Sequence, residues 1–379
     1  MTYSTMSRTE IALGLALERD PDHPRFELMP DPVPPRAALE SVLLGLLQRG
    51  RVSVAFSGGI DSSGLLCLTT HVARKHGLPD PVAVTSRFPY APETDESEWQ
   101  ELVVRHLELT DWVRVDGGED AELLGPPATR ALLRHGVRWP LLLHMQEATM
   151  AAVPGTIHVM GNGGDELTFP TRAGALLLLR DGRLVRDRAA AAAILHDLRP
   201  QLPRFRPGVG ARVPDWVRPD ARPLIARLLR NHPHTEGFRW RAELERRTNA
   251  PWALRGHANV VRQGAELGVE VVQPLTTPAV IGSMLSAAGR WGPADRSEGA
   301  LLLYGDTMPA AVRGRRDKVN FVNVVVGAAT REFIRTWDGT GLPEELVDPA
   351  LVRAEWDKPQ PRYSSFALLQ HAWLQQQHR

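Results

Sequence analysis

Lysine is nearly missing from this 379-residue chain: only Lys75, Lys318 and Lys358 occur, although basic residues number 45. Arginine supplies the rest, and 44 acidic residues bring the formal net charge to +1. That balance gives no reason to expect a polyanionic partner. The Arg- and Ala-rich usage reads as the composition of a GC-rich genome, so nucleic acid is not expected. Cysteine occurs once, as Cys67, which excludes an internal disulfide and a Cys-based zinc site. The histidines form no HExxH pair, and no Walker A string is present. Any metal should therefore rest on carboxylates and phosphate oxygens, which suits Mg²⁺. No stretch approaches the ~20 apolar residues of a membrane helix. Residues 1–20 lack the apolar block of a signal peptide. These absences predict a cytoplasmic protein with no membrane partner.

What is present is the make-up of a globular protein, 43% apolar and 23% charged, with length for two domains. Residues 1–50 read as a lead-in, with a break at Pro30, Pro32, Pro34 and Pro35 and then a helix over 36–48. From 51 the pattern becomes strand then helix. Strands are predicted at 52–56, 81–88, 112–115 and 156–160. Helices are predicted through residue 76, over 94–107 and over 141–152. Such alternation predicts an α/β core at 51–168, a parallel sheet with helices on both faces. Beyond it, 169–379 read as a mostly helical domain of Leu/Ala/Arg segments broken by prolines.

Two glycine-rich strings carry the chemistry. Ser57-Gly58-Gly59-Ile60-Asp61-Ser62-Ser63 lies between a strand and a helix. Unpaired N–H groups at the helix start favour an anion there. Gly58 and Gly59 let backbone approach a phosphate. Ser57, Ser62 and Ser63 line the same loop, and the Ser57 and Ser62 hydroxyls add donors. A carboxylate such as Asp61 would repel a bare anion, so it makes sense as a ligand of Mg²⁺ that bridges phosphates. An N-cap with a tight turn accounts for Ser57 or Asp61 alone. The whole string would arise by chance on the order of once in a thousand such chains.

The second string, Gly161-Asn162-Gly163-Gly164-Asp165-Glu166-Leu167, follows the fourth predicted strand. Ligands of parallel sheets bind beyond the carboxyl ends of strands. Asp61 and Asp165 are therefore expected to converge on one metal.

Together these strings resemble the ATP-pyrophosphatases of the asparagine synthetase type, with their β-lactam synthetase, carbapenam synthetase and lasso-peptide cyclase relatives. Further segments resemble family motifs. Thr94-Asp95-Glu96-Ser97 matches a helix start, which an ordinary N-cap explains equally well. Residues 268–274 match a G-V-E segment. Arg316-Asp317-Lys318-Val319-Asn320-Phe321 matches an R-x-K-x-x-F segment.

The resemblance implies that Asp61 and Asp165 hold Mg²⁺ and that Ser57–Ser63, Gly161, Gly163 and Gly164 bind ATP. It implies that Thr85 and its neighbours frame the adenine, and that Lys318 is catalytic at the α-phosphate. It also implies the reaction: a carboxylate is adenylated with release of pyrophosphate, and an amine then attacks to form an amide and AMP. The substrates would be a small-molecule or peptide carboxylate and an amine.

Several positions depart from the family. Thr2 stands where a nucleophilic cysteine would be, and Cys67 lies inside the core, so no glutaminase acting in cis is expected. Asn162 replaces a Glu or Tyr, and an amide cannot act as a general base near pH 7. Val272 and Thr277 replace an Arg and an Asp, and 168–171 replace a Gly-Gly-Tyr run. Pro214-Asp215-Trp216-Val217-Arg218-Pro219 resembles lasso-peptide cyclase-like sequences, which leans the reading toward natural-product amide formation. Two other readings stay open: a tRNA-modifying ATP-pyrophosphatase, and a nucleotide-binding partner subunit. A partner protein could also supply the amine or substrate.

Overall fold

Short β-branched runs form the centre of the molecule: Val52–Ala55 (β1), Val82–Arg87 (β2), Trp112–Asp116 (β3), Ile157–Val159 (β4) and Glu270–Val272 (β5). The computed structural model describes residues 3–20, 25–180, 213–231, 237–315, 319 and 321–378. All five strands pair in parallel, in the order β3-β2-β1-β4-β5. Alternate residues serve opposite faces, as the two-residue period of a strand requires. Val52, Val54, Ile157 and Val159 pack into one core layer. Val82 and Val84 on one side of the sheet's other face, and Val271 with Met160 on the other side, pack into separate clusters. Both faces are thus covered, as all-parallel sheets demand.

The helices up to residue 168 are Arg8–Leu13 (α1), Pro35–Arg49 (α2), Ile60–Lys75 (α3), Ser97–Leu107 (α4), Pro126–His135 (α5), Glu147–Ala151 (α6) and Gly164–Thr168 (α7). α2 begins with a proline at its first position, where the missing N–H costs nothing, and stops at Gly50. The predicted helix over 141–152 is instead a 3-10 turn, Leu143–Gln146, followed by the short α6. β5 is a strand that the periodicity does not reveal, since three residues are too few to display a period. It comes from the mostly helical part of the chain and extends the sheet beside β4.

The lead-in is built into the core. Ser7 and Glu10 form a capping box on α1. Buried Glu10 also accepts from the N–H groups of Leu17 and Glu18. It pairs with buried Arg255 at 2.9 Å, and buried Asp20 pairs with Arg262. Trp216, fully buried, donates its indole N–H to the Ala12 carbonyl at 2.8 Å. The Pro214–Pro219 stretch is therefore anchored to the lead-in, with Trp216 and Val217 in one core cluster. Among the described residues no helix is long and apolar enough to cross a membrane.

β1 and β4, which lead into the two glycine strings, lie side by side, with Ser53 opposite His158. A buried polar chain joins them. Thr156 donates to the Val153 carbonyl at 2.8 Å, so the Ser53 hydroxyl donates to Thr156 at 2.7 Å. His158 Nδ1 then donates to Ser53 at 2.8 Å. Burial pushes the His158 imidazole down to about 4 and does the same to His144. A depressed folded-state value means that this stability is present above pH ~6.5 and is lost as pH falls toward 4. The melting temperature should therefore drop across that window. His158→Asn, which can keep the bond to Ser53, should make the drop shallower in calorimetry. An equally steep drop would assign the acid sensitivity to other groups.

Candidate functional site

The strand order reverses at β1: the chain runs outward from it through β2 and β3, then returns to its other side with β4. Crevices at such a switch point are where α/β sheets hold ligands. The loop after β1 enters α3 with Gly59 as N-cap and no side-chain cap, which leaves first-turn N–H groups open to an anion. Gly58 has φ +90°, a left-handed conformation that other residues adopt at a cost. Ser57 and Ser62 close the loop on itself: Ser62 Oγ donates to the Gly59 carbonyl at 3.2 Å, and the two hydroxyls lie 3.0 Å apart. Gly59 N–H donates to Ser57 Oγ at 3.3 Å.

Distant residues clamp this loop from outside. Gln100 on α4 donates to the Ser57 carbonyl at 3.0 Å. Arg315 donates to the Gly58 carbonyl at 3.1 Å. It also pairs with Glu96 at 2.7 Å and lies over the Trp99 ring at 5.1 Å. Glu96, in the segment read as an N-cap, thus has a definite task as the partner of Arg315.

The second string reaches the same place. Gly163, at φ +93°, precedes α7, and the loop lies directly against the start of α3. A Cβ on Gly164 would fall 2.3 Å from Cγ of Asp61, and one on Gly161 would fall 3.5 Å from the Ser62 nitrogen. Only glycine permits that approach at 164.

Asp61 and Asp165 do converge, on a group the sequence did not single out. Arg296 Nη2 donates to Asp61 Oδ2 at 2.6 Å and to Asp165 Oδ1 at 2.7 Å. Arg296 opens the helix Arg296–Tyr304, which Asp295 caps by accepting from Glu298 N–H at 2.8 Å. Two glycines let that helix wedge between α3 and α7. A Cβ on Gly64 would strike the Tyr304 ring at 2.4 Å, and one on Gly299 would strike Thr168 backbone at 2.8 Å. Burial, and then the charge of Asp61, holds the Tyr304 phenol well above its usual value. Burial pushes Glu166 up to about 7, and the charges of Asp165 and Asp61 act in the same direction.

The other predicted site residues fall into three groups. Ser57, Gly58, Gly59, Ser62, Gly161, Gly163 and Gly164 line the two loops just described. Thr85 and Ser63 face inward. The Thr85 hydroxyl is buried, donates to the Phe56 carbonyl at 2.8 Å and accepts from Trp112 Nε1 at 3.0 Å. The whole residue is enclosed in the sheet, between β1 and β3. Ser63 is fully buried in α3. Lys318 lies outside the described residues. Glu270 sits opposite Ile157, at the amino ends of the strands, and pairs with Arg49 at 2.6 Å. It belongs to the far side from the loops. Cys67 is buried, with its thiol pushed up to about 12, which excludes a nucleophilic role.

Arg296, Arg315 and Tyr304 escaped the sequence reading. In an arginine-rich chain neither Arg is distinctive, and the only local hint was Asp295 as the N-cap of an apolar run.

Among the described residues no cluster of three or more His, Cys, Asp or Glu gathers. Two carboxylates sharing one cationic nitrogen nevertheless fit Mg²⁺, which takes one or two carboxylates and fills its shell with water and phosphate oxygens. The Arg296 nitrogen stands in as the cation between them.

The asparagine synthase family model matches residues 37–295, a span that holds β1 through β5 and both glycine strings. A search of curated proteins found no relative that matches.

Replacing Gly164 with Ala should force Asp61 and the start of α3 apart. ATP affinity, measured by calorimetric titration, is expected to fall about tenfold or more. Gly45→Ala adds a methyl to α2 where nothing lies within 4 Å and should leave affinity unchanged. Equal affinities for the two variants would contradict this packing argument.

Proposed function

The chain belongs to the asparagine synthase family, and from that premise we propose that it joins a natural-product or peptide carboxylate to an amine through an acyl-adenylate. At the level of the family it is an ATP-dependent, amide-forming synthetase. The observation that supports the adenylation step is the meeting of Asp61 and Asp165 beside an uncapped helix start; the natural-product or peptide carboxylate rests on the likeness of residues 214–219 to lasso-peptide cyclase-like sequences.

A carboxylate is a poor electrophile, and adenylation replaces its O⁻ with AMP, a good leaving group. The Ser57–Ser62 loop would receive the departing pyrophosphate on its N–H and hydroxyl donors. The clamp of Arg315, Glu96 and Gln100 fixes those donors in advance, so little reorganisation accompanies the reaction. Asp61 and Asp165 would hold Mg²⁺, which when bound neutralises phosphate charge. Lys318, three residues beyond Arg315, is the residue we assign to the α-phosphate and the later oxyanion, since a lysine is a compact charge able to approach both. Backbone of Val84–Ser86 would frame the adenine. Asn162 cannot remove a proton from the attacking amine, so the amine must arrive neutral or lose its proton to another group.

The test is carboxylate-dependent ATP–pyrophosphate exchange across amino-acid and peptide carboxylates. Exchange should appear with a subset of them. Asp61→Asn, Asp165→Asn and Lys318→Met should each lower it by about 100-fold or more. ATP binding with no exchange for any carboxylate would leave a nucleotide-binding partner subunit as the reading.

A further inference from the structure

Arg296 occupies the point between the two aspartates that a divalent ion would need. One nitrogen, Nη2, serves both carboxylates at 2.6 and 2.7 Å. A guanidinium is charged at every accessible pH. It and a divalent ion therefore repel each other and compete for the same oxygens. The guanidinium also lies over the Phe169 ring at 4.9 Å, and Phe169 is the C-cap of α7, which carries Asp165. Among the described residues, its ion pairs and its ring contact thus come from the two loop–helix units it bridges. The grip is incomplete: Arg296 Nε is buried with no hydrogen-bond partner among the described residues. The pairing through a single nitrogen also lacks the two-pronged geometry of a strong Arg–carboxylate bond.

We propose that Arg296 is a built-in cation that holds Asp61 and Asp165 together in the ligand-free protein and yields them to the divalent ion when it binds. The inference rests on the reading that these aspartates hold the ion. Arg296 is on this view a positioning residue: it keeps two like charges in place until the ion arrives, and so weakens ion binding in the absence of nucleotide. Asp295 fixes the helix start, so the arginine side chain can swing away while its backbone stays.

Mn²⁺ binding to the nucleotide-free protein, followed by the loss of the free-ion electron paramagnetic resonance signal, tests this directly. Arg296→Gln should bind Mn²⁺ about tenfold tighter than wild type. Its melting temperature should fall without a divalent ion and recover when Mn²⁺ is added. Phe169→Leu, which loosens the arginine without removing it, should tighten Mn²⁺ binding by a smaller factor and serves if the first variant does not fold. Unchanged or weaker Mn²⁺ binding in the folded variants would overturn the proposal. A failure of the underlying reading looks different: Asp61→Asn and Asp165→Asn would leave Mn²⁺ binding to the nucleotide-free protein unchanged.

Discussion

Two carboxylates that each lie within 2.7 Å of one nitrogen repel each other by about 3 kcal/mol at an effective dielectric constant near 20. Such a pair needs a shared proton or a compensating cation, and here Arg296 supplies the cation. The carboxylates arrive on separate loop–helix units from adjacent strands. A third element, the helix Arg296–Tyr304, must then come close enough to place a positive charge between them. It does so because Gly64 and Gly299 remove the side chains that would hold it off. The same wedge buries Tyr304 beneath the site.

The phosphate-type loop depends on a second set of remote contacts. A glycine-rich turn has too much conformational freedom to hold its donors in one direction. Its rigidity is supplied from α4 and from Arg315: one hydrogen bond from Gln100 to Ser57, one from Arg315 to Gly58, and an ion pair and a ring face that keep Arg315 in place. The clamp is built from neutral, aromatic and paired groups. It therefore fixes the loop without adding an unbalanced charge that would alter affinity for an anion.

β1 and β4 must also stay in register, since a slip of one residue would turn their side chains to opposite faces and displace the loops that follow. The buried chain from His158 through Ser53 and Thr156 to the Val153 carbonyl spans that pair of strands. It makes the register specific where apolar packing alone would be permissive. Further out, the ion pairs of Glu10 with Arg255 and Asp20 with Arg262 tie the lead-in to the Pro251–Glu266 helix, which packs beside β5.

What was legible in the sequence was whatever is decided locally. The first four strands, α2 and α3 follow from the spacing of apolar residues and from proline and glycine punctuation. The parallel α/β class follows from their alternation. The two loops were readable because their chemistry is written in consecutive residues, so Asp61 and Asp165 could be named as a pair before any coordinates. Everything that joins residues far apart in the chain was settled by packing. Arg296 bridges the aspartates across 235 and 131 positions, and Arg315 reaches Gly58 across 257. β5 joins the sheet with three residues, and Thr85 and Ser63 turn inward instead of toward the loops. Nothing in the neighbouring residues marks such contacts. Their free energy exists only once separate elements pack, so only the packed molecule records them.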